Sequence, residues 1–229
     1  MLPGTAQAAP AGVKGFDANV VITESQADAF WKAGFRFAVR YVGRREMASW
    51  DLSAPEAAML LSRGFALMIV QHVRSGEWMP TAGLGAEYGA NAAYFGRRIG
   101  FPPGVNVWLD LESVSSRAAT ADVMAYCDAW YAKVAGAGYV PGVYVGWQPG
   151  LSGADLYELR FRHYWAAYNV AGHSRPAPRG YQLVQSGGSR RVGALHAGGY
   201  DVNTTQLDRE GGTVRWLKGG AGLLNGWFR

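Results

Sequence analysis

At four junctions along the chain a glycine that closes a helix-like stretch is followed at once by an aromatic residue: Gly34-Phe35, Gly64-Phe65, Gly100-Phe101 and Gly138-Tyr139. Each pair ends a helix-like stretch and opens a run of aromatic and β-branched residues. Glycine lets a helix stop in the left-handed conformation and an aromatic favours a strand, so the pair marks a repeated α-to-β turn. Strands alternating with helices imply a parallel sheet with right-handed crossovers. No sequence repeat accompanies this structural period.

The elements between the turns follow. Val13 to Ala18 reads as a first strand, and Thr23-Glu24-Ser25-Gln26 as a capping box opening a helix that stops at Gly34. Phe35 to Val42 is a strand, and Ser53-Ala54-Pro55-Glu56 a second capping box whose helix stops at Gly64. Phe65 to Val73 is a nearly unbroken apolar strand, as expected where both faces are covered. A helix over Ala86 to Ile99 and a strand over Val105 to Glu112 come next, then a helix capped by Thr120 that runs out at Gly136 and Gly138. Val140 to Trp147, His163 to Asn169, Tyr181 to Ser186 and Gly199 to Thr204 bring the strands to eight, with a short helix over Ala154 to Phe161. Eight strands in this length fit a single (β/α)8 TIM-type barrel. A doubly wound open sheet is the runner-up, and it lacks the glycine fingerprint expected after its first strand.

Composition sets outer bounds. The 229 residues are 49% hydrophobic and 17% charged, sufficient for one large core and unlike a disordered chain. We expect a flexible N-terminal segment (1–12), a barrel (13–210) and a C-terminal extension (211–229) that packs on the barrel or makes contacts. No apolar run reaches the ~20 residues of a membrane span. The net charge of +5 is spread without a basic block, so a nucleic-acid partner is not expected. The single Cys127 falls at helical spacing with Val123, Trp130, Tyr131 and Val134 and reads as core. Ala6-Gln7-Ala8 resembles the small-residue end of a signal peptide with no apolar stretch before it, which suits a trimmed mature form or another route out of the cell.

In a parallel barrel the chemistry gathers at the C-terminal strand ends. Those ends carry Asp17, Arg40 and Tyr41, His72, Asp110 and Glu112, Tyr144 and Trp147, Trp165 and Tyr168, Gln185, and Asp201 and Asn203. Asp110 and Glu112 lie two apart on one strand and so share a face. Four carboxylates among aromatics compose a sugar cleft, in which rings pack on pyranose C–H surfaces while acids and amides hold hydroxyls. Two carboxylates flanking a glycosidic bond, one protonated and one ionised, are the general requirement for its hydrolysis, and crowding raises the pKa of at least one. A structural hydrogen-bond cluster is the competing reading of the same residues. His72, His163, His173 and His196 show no helical metal-ligand spacing, and neither a metal nor a cofactor is expected. No serine elbow, phosphate loop or CxxC pair occurs.

Gly15-Phe16-Asp17, Leu109-Asp110-Leu111-Glu112, Gly142-Val143-Tyr144-Val145, Trp165-Ala166-Ala167-Tyr168, Tyr181-Gln182-Leu183-Val184-Gln185 and Tyr200-Asp201-Val202-Asn203 resemble, in order, the strand motifs of the glycoside hydrolase family 25 lysozymes. The chain is more similar to their relative, the glycoside-hydrolase-like domain of unknown function 1906, found in secreted bacterial proteins and in phage. The resemblance spans Val13 to Asp208. It implies a barrel that cleaves cell-wall glycan at the β-1,4 bond of N-acetylmuramic acid. We expect a monomer that acts outside the cytoplasm. By position, Glu112 would be general acid and base and Asp110 would stabilise the cationic intermediate, with Asp17 and Asp201 tuning them. The remaining strand-end residues, Arg40, Tyr41, His72, Tyr144, Trp147, Trp165, Tyr168, Gln185 and Asn203, would bind the sugar. Departures lie in the longer loops Gly43 to Asp51 and Arg74 to Gly85 and in Gly172 to Pro178, and the chitinase-like acid series is not met at Val105 and Trp108. The alternatives are a non-catalytic glycan-binding barrel and a glycosidase of another wall polysaccharide.

Overall fold

The computed structural model describes the chain apart from residues 75, 171, 176–178, 188–191, 193–198 and 221–229. In chain order its elements are β1 (Thr5–Ala8), β2 (Lys14–Ala18), α1 (Glu24–Lys32), β3 (Phe37–Val42), α2 (Ala54–Ser62), β4 (Ala66–Gln71), α3 (Ala82–Ile99), β5 (Asn106–Leu111), α4 (Thr120–Gly136), β6 (Val140–Val145), α5 (Gly153–Glu158), β7 (His163–Ala166), β8 (Leu183–Ser186), β9 (Asp201–Thr205) and β10 (Arg215–Lys218). Strands β2 to β9 close into an eight-stranded barrel, since β4 pairs with β5 and β2 with β9. The glycines of the four turns have φ of 89°, 89°, 109° and 88°, the left-handed region that a Cβ disfavours.

Two features differ from the expected barrel. β9 runs antiparallel to both β2 and β8, so the barrel is parallel for seven strands and closes on a reversed eighth. Residues 1–12, expected to be flexible, contain β1, which pairs antiparallel with β10 from Thr5↔Lys218 to Ala8↔Arg215. β10 in turn pairs with the N-terminal end of β4, at Leu217↔Leu67 and Lys218↔Ala66. The two chain ends thus form a strap at the end of the barrel away from the carboxylates. Of the C-terminal extension, β10 lies between β1 and β4, whereas Leu223, Leu224, Trp227 and Phe228 lie outside the described residues.

Local signals explain most element starts. Thr23 and Gln26 make the reciprocal capping box of α1. Ser53 accepts from the Glu56 amide, but the Glu56 carboxylate turns away to the Ile22 amide and Arg40, so only half of the second box forms. α3 begins four residues before the expected Ala86, capped by the Thr81 side chain. α4 begins at Thr120 with Ala119 as its cap and no side-chain bond, so Thr120 is not the cap expected of it. α5 has an unanticipated capping box, Ser152 with Asp155.

Burial follows the two faces of each strand. Outward residues such as Phe16 pack under the helices, its ring stacked on Phe30 of α1 at 3.9 Å between centroids. Inward residues fill the barrel: Trp108 meets Trp165 edge-on at 5.7 Å and its ring covers Gly142, where a Cβ would lie 2.4 Å from it. Cys127 is buried in the core, as its spacing indicates. No helix among the described residues is long and apolar enough to cross a membrane.

Candidate active site

Period-two alternation aims Asp17, Tyr41, His72, Asp110, Glu112, Tyr144, Trp165, Gln185, Asp201 and Asn203 at one mouth of the barrel. Register fixes the neighbours: Asp17 lies beside Asp201, Asp110 beside Tyr144, Tyr144 beside Trp165, and Gln185 beside Asn203. These ten sequence candidates are brought together. Trp147 and Tyr168, at 51% and 63% exposure, stand on the rim after β6 and β7. Arg40 is not in the cleft. It is fully buried on the outward face of β3, paired with Glu56 at 2.7 Å and bonded to the carbonyls of Ala18 and Trp50. The strand alternation that points Tyr41 inward points Arg40 at α2.

Asp17 is held by amides whose orientation is dictated by their other ends. Asn203 Oδ1 accepts from Trp165 Nε1 at 2.8 Å, which turns its Nδ2 onto Asp17 Oδ2 at 2.7 Å. Gln185 Oε1 accepts from the Tyr144 hydroxyl at 3.0 Å, which turns its Nε2 onto the same oxygen at 3.0 Å. The Tyr41 hydroxyl donates to Oδ1 at 3.4 Å. Burial nevertheless pushes the Asp17 pKa up to about 7, against these donors and with the help of Asp201.

Asp110 is buried, takes the Val73 N–H, and leaves its Oδ1 without a hydrogen-bond partner among the described residues. Burial, then the charges of Glu112 and Asp17, hold its carboxyl well above the usual range. Glu112 is half-buried and faces the opening; burial raises it too, opposed by the Trp147 N–H. Burial first and the carboxylates next also raise the Tyr41 and Tyr144 phenols, which stay protonated and act as donors.

The backbone around Glu112 is pinned beyond the strand ends. Trp78 Nε1 donates to the Glu112 carbonyl at 2.9 Å, Ser113 N to Trp147 O at 2.8 Å, and Val114 N to Gln148 O at 3.0 Å. Ser113 and Gln148 take positive φ of 53° and 50° in these turns. A Cβ on Gly146 would lie 2.5 Å from both Cβ and Oε2 of Glu112, so glycine there is what admits the carboxylate. Trp78, Gly146, the Val73 peptide and Arg44 were not legible as site residues, because each acts through a loop position that strand spacing does not address. Among the described residues no three His, Cys, Asp or Glu side chains are grouped to hold a metal, and His196 lies outside them.

A closed eight-stranded α/β barrel with acids and buried amides at one mouth is glycoside-hydrolase-like in architecture. A family model described as the Rv2525c-like, glycoside hydrolase-like domain matches residues 28–196, and the chain belongs to that family. The Tat-secreted protein Rv2525c of Mycobacterium tuberculosis, in complex with L-tartrate, is similar at 20% identity and TM-score 0.64 over 86% of this chain and 96% of that one. An uncharacterized B. stearothermophilus protein is similar at 19% identity and TM-score 0.65, covering 85% and 96%. A bacterial lysozyme from Streptomyces coelicolor is similar at 17% identity and TM-score 0.54, covering 86% and 94%. No curated protein matches the chain. At these identities the structures show the fold, which is shared with lysozymes.

Proposed function

We propose that the protein hydrolyses glycosidic bonds of a bacterial cell-wall polysaccharide, with the muramic acid linkage of peptidoglycan as its substrate. The observation that carries this reading is the convergence of Asp17, Asp110 and Glu112 at one mouth, all three raised by burial, with only Glu112 turned to the opening. Crowded and buried carboxyls cannot all ionise together, so the set keeps at least one proton that isolated carboxylates would have lost, which is what an acid catalyst needs. Glu112 protonates the leaving oxygen and later activates water. Asp110, with one oxygen unengaged, faces the developing cation as nucleophile or by orienting an N-acetyl group. Asp17 and Asp201 set the local charge, Tyr144 and Gln185 position them, and Trp147 and Tyr168 offer ring faces to sugars entering from the rim.

The similarity to the Tat-secreted Rv2525c and to a bacterial lysozyme agrees with action outside the cytoplasm. The test is release of reducing ends from purified cell walls, with the new terminal sugar identified by mass. Glu112→Gln should lower turnover by about 10³-fold or more with unchanged circular dichroism. Wild-type release with muramic acid at the new end is the expected result. Release that survives in Glu112→Gln removes Glu112 from the acid role, and wall binding without release makes the protein a glycan-binding barrel.

A further inference from the structure

Arg44 stands two residues past Val42, the last residue of β3, and is half-buried in the loop beyond that strand end. Among the described residues it has no carboxylate within ion-pair distance, whereas its neighbour Arg45 is on Glu87 and the buried Arg40 is on Glu56. The group is not loose. Its Nη1 donates to the Val73 carbonyl, and its own carbonyl accepts from Asn91 Nδ2 of α3 at 2.7 Å. The N–H of Val73 goes to Asp110, so a single residue bridges the guanidinium and that carboxylate.

This arrangement is not that of a counter-ion. A cation placed to neutralise Asp110 would contact it and depress its pKa, yet Asp110 stays raised and Arg44 ranks below burial, Glu112 and Asp17 among the causes acting on it. Among the described residues the Val73 carbonyl is the one hydrogen-bond acceptor of this guanidinium, and none of its nitrogens is a buried donor without a partner, so its remaining N–H groups are open to an anion arriving from solvent. Two further groups of the same wall flank Val73: His72, stacked on Tyr41 at 4.7 Å with its Nε2 on Asp51 at 2.6 Å, and the exposed Arg74. The cleft is therefore asymmetric. The β3 and β4 side presents basic groups, and the β6 and β7 side presents Trp147 and Tyr168.

We propose that Arg44 is a specificity-determining residue that binds a carboxylate carried by the sugar next to the cleaved bond. The inference rests on the glycosidase reading above. On a muramyl residue the carboxylate in reach of the ring is that of the lactyl ether, and it is free only where the stem peptide has been removed. The class of reaction that must supply this substrate is hydrolysis of the lactyl–peptide amide, so glycan already stripped of its peptides is the preferred substrate over peptide-bearing wall.

The experiment compares peptide-free glycan chains with the same chains after the lactyl carboxylates are converted to methylamides. Turnover is read as reducing ends with wild type, Arg44→Gln and Arg44→Lys, and binding by calorimetry with Glu112→Gln and with Glu112→Gln/Arg44→Gln. Wild type should prefer the free carboxylate by about tenfold or more in kcat/KM, a charge-assisted contact being worth at least that. The preference should shrink with added salt, fall to within about twofold in Arg44→Gln and be partly kept by Arg44→Lys. Equal hydrolysis of both chains by wild type, or a preference that survives in Arg44→Gln, overturns the assignment while hydrolysis stands. No hydrolysis, but tighter binding of the free-carboxylate chain that is lost with Arg44, keeps the anion site and removes the enzymatic reading. Neither turnover nor binding of either chain overturns both.

Discussion

Asp17 shows how this site exchanges stability for chemistry. Burial raises its carboxyl to about 7 in the folded protein from the usual aspartate value of 3.8. The native state therefore binds a proton that the unfolded chain releases, and stability is full below about pH 4 and lost as pH rises through 7. Asp17→Asn keeps an acceptor for Asn203 and Gln185 and removes the titration. It should be more stable than wild type at pH 8, by something on the order of 2 kcal/mol or several degrees in Tm, with the difference vanishing near pH 4, while hydrolysis falls. Thermal melts across that range test the sign. Arg40 is the opposite case: Arg40→Met strands the buried Glu56 and should lower stability by about 3–5 kcal/mol, and in denaturant unfolding the loss should appear without a selective rise in KM. The sequence shows that Asp110 and Glu112 share a face because period two is a property of any strand. It does not single out Arg44, which lies in the loop after β3, where strand spacing sets no direction.

Among the elements, the strands with long apolar runs and the helices bounded by glycine are readable from spacing alone. Strand direction is not, because alternation is the same whichever way a strand runs. β9 therefore reads as an eighth parallel strand, and only its ladders with β2 and β8 reveal the reversal. β1 and β10 escaped notice for another reason: each has four residues, and Thr5–Ala8 carries one partly buried position among exposed ones. Their pairing is a tertiary fact about two chain ends. Deleting residues 1–8 removes the β1 ladder and the bond from the Leu2 amide to the Gly100 carbonyl. The truncated protein should melt lower, by roughly 5 °C or more, and retain its kcat below that temperature, because the strap lies at the far end of the barrel from Glu112. Lost turnover with unchanged melting would contradict this division of labour.

At the scale of the molecule, the barrel converts eight strand ends into one ring of side chains, and helices behind it leave the mouth as the place where polar groups face solvent. Closure by β9 puts Asp201 and Asn203 against Asp17, so the reversed strand completes the acid cluster. The claim that this mouth is where a wall glycan is cleaved is tested most directly by the crystal structure of Glu112→Gln with a bound muramic-acid-containing oligosaccharide. The account expects a glycosidic oxygen within about 3 Å of the residue 112 side chain and the adjoining anomeric carbon facing Asp110. A glycan seated instead in the groove of ≈ 690 Å³ between α3 and the segment from Arg45 to the start of α2, with the mouth unoccupied, would contradict it.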